Sequence, residues 1–301
     1  MSNFILLIVC LLMGMLLRRL PGFPPRAYEG LNAFIIYISL PAISLRYVPE
    51  MQLSTQSLFP FLMSWLVLGA AAGFFYLLKP LLKYRRDTMG CLILTCGLGN
   101  ISFVGFPVVE ALYGTEGLKV AVLVDQGAFL ALSTVGVALA MIFSSGRVKA
   151  RVLMRRVLSF PPFIAFVIAL LLSALGPLPE TIQVVLERLG ATLSPLALVS
   201  IGLQLSFKFR QISATHYLIG LLYKLGVAPL LIYGLYQGLL SVEELRAKVS
   251  VIEAAMAPMI TASILATQYK LNPPLANLLV GIGIPVSLLT ILLWWRLLEL
   301  I

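Results

Sequence analysis

Four charged side chains stand where their surroundings make charge costly: Glu110, Asp125, Lys224 and Glu253, each inside a long apolar run. An ionisable group at membrane depth faces a polar cavity and pairs with an ion, a proton or an opposite charge. Glu253 lies about one turn ahead of Met256-Ala257-Pro258, so a carboxylate there suits a coupling cation. The competing reading puts it near the membrane surface, because Glu243, Glu244, Arg246 and Lys248 come just before it. Asp125 follows Lys119 closely, and either reaches the interruption near Asn100 or pairs with a nearby base. Lys224 either neutralises a substrate carboxylate or extends its ammonium to the interface. Glu110 reads more readily as exposed near the outer mouth, and Gln204 and Gln268 as hydrogen-bonding glue between helices. His216, the only histidine, falls at a helix start and reads as solvated. One histidine without a thiolate cluster argues against zinc. HExxH, Walker A and GxGxxG patterns are missing, which disfavours metal-assisted hydrolysis, direct ATP drive and dinucleotide chemistry. The expectation is that the chain is not an enzyme and carries no cofactor beyond a coupling ion, Na+ or H+.

Two interrupted helices must position these groups. One reads Cys96-Gly97-Leu98-Gly99-Asn100-Ile101-Ser102-Phe103-Val104-Gly105-Phe106-Pro107, the other Glu253-Ala254-Ala255-Met256-Ala257-Pro258-Met259-Ile260-Thr261-Ala262-Ser263. A helix broken in lipid frees N–H and C=O groups that cost several kcal/mol each if unpaired, so such breaks survive only where protein or a cavity satisfies them. The half-helix after each break offers N–H groups to an anion, and the half before it offers carbonyls to a cation. Asn100 or Ser102 is expected to cap the first of these second halves, and Pro258 to open the other.

The composition agrees. The chain has 301 residues, 60% hydrophobic and 11% charged, with mean hydropathy +1.01. Soluble domains carry about 25% charge, so the fold class expected is an all-α polytopic membrane protein with no sizeable soluble domain. Continuous apolar runs exclude an outer-membrane barrel. The net charge of +10 points to basic loops against anionic lipid rather than to nucleic acid. Cys10, Cys91 and Cys96 fall in apolar runs and read as buried hydrophobes. The first twenty residues lack a basic leading region and a cleavage site, so they read as a span and not a signal peptide.

The pattern predicts ten helices, at 3–20, 27–47, 57–80, 88–113, 118–144, 159–176, 184–207, 213–239, 245–269 and 273–298. Pro21 to Pro25, Gly114, Pro161-Pro162, Gly176-Pro177 and Asn272-Pro273-Pro274 separate them. The most polar connection, 144–159, carries Arg147, Lys149, Arg151, Arg155 and Arg156 and leaves five helices on either side. Most basic residues fall in alternate loops (Arg18, Arg19 and Arg26; Lys79, Lys83, Arg85 and Arg86; the central five; Lys208 and Arg210; Lys270). That pattern places these loops in the cytoplasm and both termini outside it. Five helices per half require the second half to run inverted, as in secondary transporters. The division expected is 1–144, a basic linker 145–158, and an inverted repeat 159–301. Pro41 and Pro195, in the matching stretches Ser39-Leu40-Pro41-Ala42 and Ser194-Pro195-Leu196-Ala197, should kink their helices. Gly69-Ala70-Ala71-Ala72-Gly73 reads as a helix-packing face.

With these motifs in view, the chain resembles the auxin efflux carrier family, within the bile acid and auxin carrier-like transporters. The resemblance rests on Gly99-Asn100-Ile101-Ser102-Phe103-Val104-Gly105-Phe106-Pro107 followed by Tyr113-Gly114, on Met256-Ala257-Pro258 followed by Tyr269 and Pro273, on the Pro41 helix, and on Ser200-Ile201-Gly202-Leu203. It implies two inverted repeats whose fourth and ninth helices cross as unwound segments. It further implies a scaffold of helices 1, 2, 6 and 7, a moving domain of the other six, and a homodimer joined through the scaffold. Family substrates are organic anions such as auxin, malate or malonate. Asn100, Pro107 and Pro258 carry over as crossover residues. Glu253 is similar to the sodium-binding glutamate of the bile acid–sodium symporters, which implies cation coupling.

The expectation is therefore a permease in the bacterial inner membrane that moves a small organic anion by an elevator motion. Asn100, Ile101, Ser102, Pro258, Met259 and Thr261 would hold the substrate. Glu253, Asp125 and Asn100 would serve the coupling ion, with Na+ at Glu253 and Asp125 or a proton in its place. Gly99, Gly105, Pro107, Ala257 and Pro258 would act as hinges. The alternative is a sensor on a transporter fold that binds its ligand without moving it.

Overall fold

Glycine and proline decide where these helices stop. The computed structural model describes residues 2–51, 54–144, 150–174, 178–204 and 214–300. Arg147, Lys149, Gly176, Pro177, Lys208 and Arg210, which entered the loop and breaker assignments, lie outside the described residues. In chain order the helices are α1 (Ser2–Leu17), α2 (Ala27–Phe34), α3 (Leu40–Tyr47), α4 (Leu58–Leu82), α5 (Arg86–Gly97), α6 (Phe106–Ala131), α7 (Val137–Ser144), α8 (Ala150–Leu158), α9 (Pro161–Leu172) and α10 (Glu180–Ala191). Then come α11 (Leu193–Gln204), α12 (Ala214–Leu222), α13 (Ala228–Tyr233), α14 (Glu244–Ala254), α15 (Ile260–Gln268) and α16 (Pro273–Leu300). Among the described residues there is no strand, and one isolated β-bridge joins Gly99 to Pro258.

Among the described residues, six helical stretches are long and apolar enough to span a bilayer: Ala27–Glu50, Thr55–Leu82, Ile101–Ser144, Glu180–Gln204, Ala214–Leu239 and Pro273–Leu300. Shorter apolar helices cover Ile8–Leu17 and Pro161–Leu172. The chain is thus an all-helical integral membrane protein. The stretches 88–113 and 245–269, expected as spans broken near their middle, are interrupted after Gly97 and after Ala254. The 44 residues of Ile101–Ser144 would measure about 66 Å as one rod, but Gly114, at φ 63 and ψ −157, breaks it.

Wide π-turns mark three prolines. They occupy Ile35–Ser39, Ile101–Gly105 and Tyr223–Val227. Each ends two residues ahead of a proline: Pro41, Pro107 and Pro229. Proline has no N–H to donate, and its ring presses on the carbonyl four residues back. Widening the preceding turn relieves that pressure; in the first and third cases the amide before the proline reaches five residues back, from Leu40 to Ile35 and from Ala228 to Tyr223. Pro195 behaves otherwise. Helix α10 ends before it, a turn forms at Thr192, and Pro195 sits in the first turn of α11, where a missing N–H costs nothing. The expected kink there is a break between two helices.

The described chain forms two units. One contains Met1–Ser54, Ser102–Val122 and Leu158–Ser206. In it α1 crosses α11 backbone to backbone: a Cβ on Gly14 would lie 2.2 Å from the Val199 carbonyl oxygen, and one on Gly202 2.3 Å from that of Leu11. In lipid, where apolar burial between helices gives little driving force, small residues at such crossings allow close packing. Ser39 Oγ meets Thr192 Oγ1 at 2.8 Å, and Ser194 Oγ donates to Glu110 Oε2 at 2.7 Å. Glu110 is therefore held by the fold rather than fully exposed.

The other unit contains Thr55–Ile101, Leu123–Val157 and Phe207–Ile301. Here α4 packs on α5, α13 and α14, while α5 also lies against α7, α15 and α16. Tyr223 donates to the Val67 carbonyl at 2.5 Å and stacks near Phe74 and Phe75, centroids 5.0 and 5.5 Å away. The packing face expected at Gly69 and Gly73 is open: a Cβ at either position meets nothing within 4 Å. Gly69→Ala and Gly73→Ala should each leave stability unchanged or raise it by up to about 1 kcal/mol, because alanine favours the helix. Thermal unfolding of the two variants checks this, and a drop of more than that amount would reveal a contact made outside the protomer.

Candidate functional site

Helix α5 stops at Gly97, and Leu98 turns to extended backbone (φ −127, ψ 138). Helix α14 stops at Ala254, and Met259, also extended (φ −68, ψ 127), leads into α15. The two gaps meet. The Asn100 amide donates to the Ala257 carbonyl at 2.9 Å, and the Met259 amide to the Leu98 carbonyl at 3.1 Å. These two bonds flank the Gly99–Pro258 bridge and satisfy backbone groups that lipid would leave unpaired. Pro258 has no amide, so it fits the one bridge position where none is used. It stands two residues ahead of α15 instead of opening it as expected, and its ring fills the space that a Cβ on Gly283 would need, 2.5 Å from Cδ.

Three charged residues are buried beside the bridge. Glu253 is 0% exposed, Lys224 1% and Asp125 3%. Asp125 and Lys224 are the charged groups that act on Glu253 electrostatically. Neither carboxylate oxygen of Glu253 has a hydrogen-bond partner among the protein atoms, nor do Asn100 Nδ2 and Gln126 Oε1. The Gln126 amide lies 3.5 Å from Asp125 Oδ2. Lys119 pairs with Glu116 at 2.7 Å. Among the described residues no group of three or more His, Cys, Asp and Glu side chains could hold a metal ion.

The remaining expected site residues fall as follows. Ile101 is buried and Ser102 half-buried in the π-turn after Asn100; Gly105 closes that turn and Pro107 is the second residue of α6. Ala257 and Met259 are buried in the second gap, whereas Thr261, in the first turn of α15, is exposed. His216 is half-buried, its ring 5.2 Å from that of Tyr84.

Comparison with known proteins now bears on the identity. A family model described as a membrane transport protein matches residues 1–295. The chain belongs to the auxin efflux carrier family. An uncharacterized transporter of Methanocaldococcus jannaschii is 29% identical over 279 residues, covering 89% of each chain. Another, from Methanothermobacter thermautotrophicus, is 28% identical over 296 residues, covering 95% of this chain and 94% of its own.

Sodium at Glu253 can be tested against the donor set of this auxin efflux carrier homologue. Unwound carbonyls and half-helix C-terminal ends are what hold Na+ in transporters. At the end of α14 several of them are engaged. The amide of Ala255 takes the carbonyls of Val251 and Ile252, and Met256 takes that of Glu253. The Ala254 carbonyl accepts Lys224 Nζ at 2.7 Å, and the Ala257 carbonyl accepts Asn100. The carbonyls of Val251, Ile252, Glu253, Ala254 and Ala257 already have donors, so these atoms suit a sodium ion poorly.

Lys224 does not snorkel, and its place is the main feature that sequence reasoning missed; its hydrogen-bond partner lies 30 residues further along the chain. Gly99 is the other. A Cβ there would stand 3.0 Å from the Glu253 carbonyl oxygen and 3.2 Å from Lys224 Nζ. Gly99→Ala should push the ammonium off its carbonyl and cost about 1–3 kcal/mol. Thermal unfolding reads this, and a melting temperature equal to wild type would show that the bridge relaxes freely.

Proposed function

We propose that this chain is a secondary transporter for a small organic anion, working by alternating access. The paired helix gaps carry this reading: they put free helix ends and three buried charges in one place, as transporters do at their binding sites. The leading amides of α15 have no partner four residues back within the helix and suit a carboxylate. Asn100, Ile101, Ser102, Pro258, Met259 and Thr261 are the residues proposed to surround it. The ten-helix inverted repeat belongs to the same proposal. So does the elevator motion, in which helices 3, 4, 5, 8, 9 and 10 move against a dimeric scaffold of helices 1, 2, 6 and 7. Gly99, Gly105, Pro107, Ala257 and Pro258 would act as hinges in that motion, both termini facing away from the cytoplasm.

Counterflow in proteoliposomes tests it. Vesicles loaded with unlabelled malate, malonate or another small dicarboxylate should accumulate the labelled acid from outside, and Asn100→Ala should reduce this at least tenfold. A protein that binds these acids but shows no counterflow is a sensor, and the transport reading then fails. Ion and solute can couple only through states that bind them together. Glu253→Gln should therefore abolish any response of flux to an imposed ion gradient.

A further inference from the structure

We propose that Lys224 is a tethered cation: its ammonium takes the place of a free sodium ion at the carbonyl end of α14, and the solute site works without Na+. The inference rests on the transport reading only for what the site binds; the cation's identity rests on geometry.

An interrupted helix in a bilayer has two needs at its first half. The terminal carbonyls need donors or a cation, and any carboxylate beside them needs a positive partner. A sodium ion meets both at once. Here one side chain meets the first by a hydrogen bond and the second through its charge alone, without touching the Glu253 carboxylate. Lys224 sits in the wide turn Tyr223–Val227, which turns the chain just ahead of Pro229. Its Nζ donates to the Ala254 carbonyl at 2.7 Å and lies where a Cβ on Gly99 would come within 3.2 Å. It is therefore at the bridge itself, 1% exposed, and acts electrostatically on Glu253, the residue that opens the carbonyl end. A lysine ammonium is a compact charge with three donors, close to a small monovalent ion in what it offers to oxygen. A second cation on the same carbonyl would meet strong repulsion at this burial.

The two needs also explain the glycine. Residue 99 must pair across the bridge and leave room for the ammonium, and a side chain there would occupy that room.

The experiment uses purified full-length protein in detergent. Melting temperatures are compared in rising NaCl and in choline chloride at equal ionic strength. Wild type should melt at the same temperature in both salts. Lys224→Ala should melt lower in choline chloride and recover selectively and saturably in NaCl, by on the order of 5 °C, since an ion that binds the folded state raises its apparent stability. Lys224→Arg, whatever its stability, should show no Na+-specific shift, because it keeps a tethered charge. A saturable Na+-specific stabilisation of wild type or of Lys224→Arg would overturn the proposal, as would equal responses of Lys224→Ala to the two salts. If the alanine variant does not fold, the wild-type and arginine curves still decide. Absence of counterflow would defeat the transport reading and leave these melting curves unaffected, so the two failures are distinguishable.

Discussion

Lys224→Met is expected to destabilise the protein by roughly 3–5 kcal/mol, the usual cost of stripping one partner from a buried set of charges. Methionine keeps the length and the apolar stem, so little packing is lost. What goes is the donor to the Ala254 carbonyl and the positive charge that acts on Glu253. An unmatched buried carbonyl alone costs about 1–3 kcal/mol. The partner variant makes the argument specific. Glu253→Gln removes a carboxylate whose oxygens have no protein donor, so alone it should be mild. Combined with Lys224→Met it should recover more than half of the loss, because neighbouring charges couple. Unfolding of the four proteins closes the cycle; strict additivity would mean that the two residues do not sense one another.

Gly127→Ala should rank among the most damaging single-methyl additions in the protein. Gly127 lies in α6, and a Cβ there would fall 1.8 Å from the Phe61 carbonyl oxygen and 2.7 Å from its carbonyl carbon. Those atoms belong to the backbone of α4, so no rotamer change makes room. The helices must separate, which costs at least the upper part of the usual range of about 1–3 kcal/mol for overpacking. Such a shift would also move Asp125 and Gln126, on the preceding turn. The expected signature is a fall in melting temperature together with lost counterflow. A variant as stable as wild type would show that α4 and α6 have slack at this crossing.

The helix interruptions were legible because glycine, asparagine and proline announce them: Gly99-Asn100 and Ala257-Pro258 end apolar runs that otherwise satisfy every rule for a span. Their meeting was legible only through the family resemblance, since pairing between residues so far apart leaves no mark on local periodicity. Apolar neighbours offered burial as one reading of Glu253, Asp125 and Lys224 beside surface or interfacial ones, and which group would face which depended on rotation about each helix. The π-turns escaped notice for a related reason. A single widened turn adds one residue, and a hydrophobic stripe in an apolar membrane helix is too uniform to register it. Glycine packing was misplaced outright. The Gly69 and Gly73 pair has the familiar spacing and touches nothing, while the lone Gly14 and Gly202 make the tight crossing between α1 and α11. Spacing describes one helix; a crossing needs two.

The bridge is made of main-chain atoms only: two amides, two carbonyls, and a proline that gives up nothing by lacking a proton. The join between the two gaps therefore rests on no side-chain hydrogen bond of its own. Thr261, exposed in the first turn of α15, takes no part in these bonds, so a change there leaves the join intact.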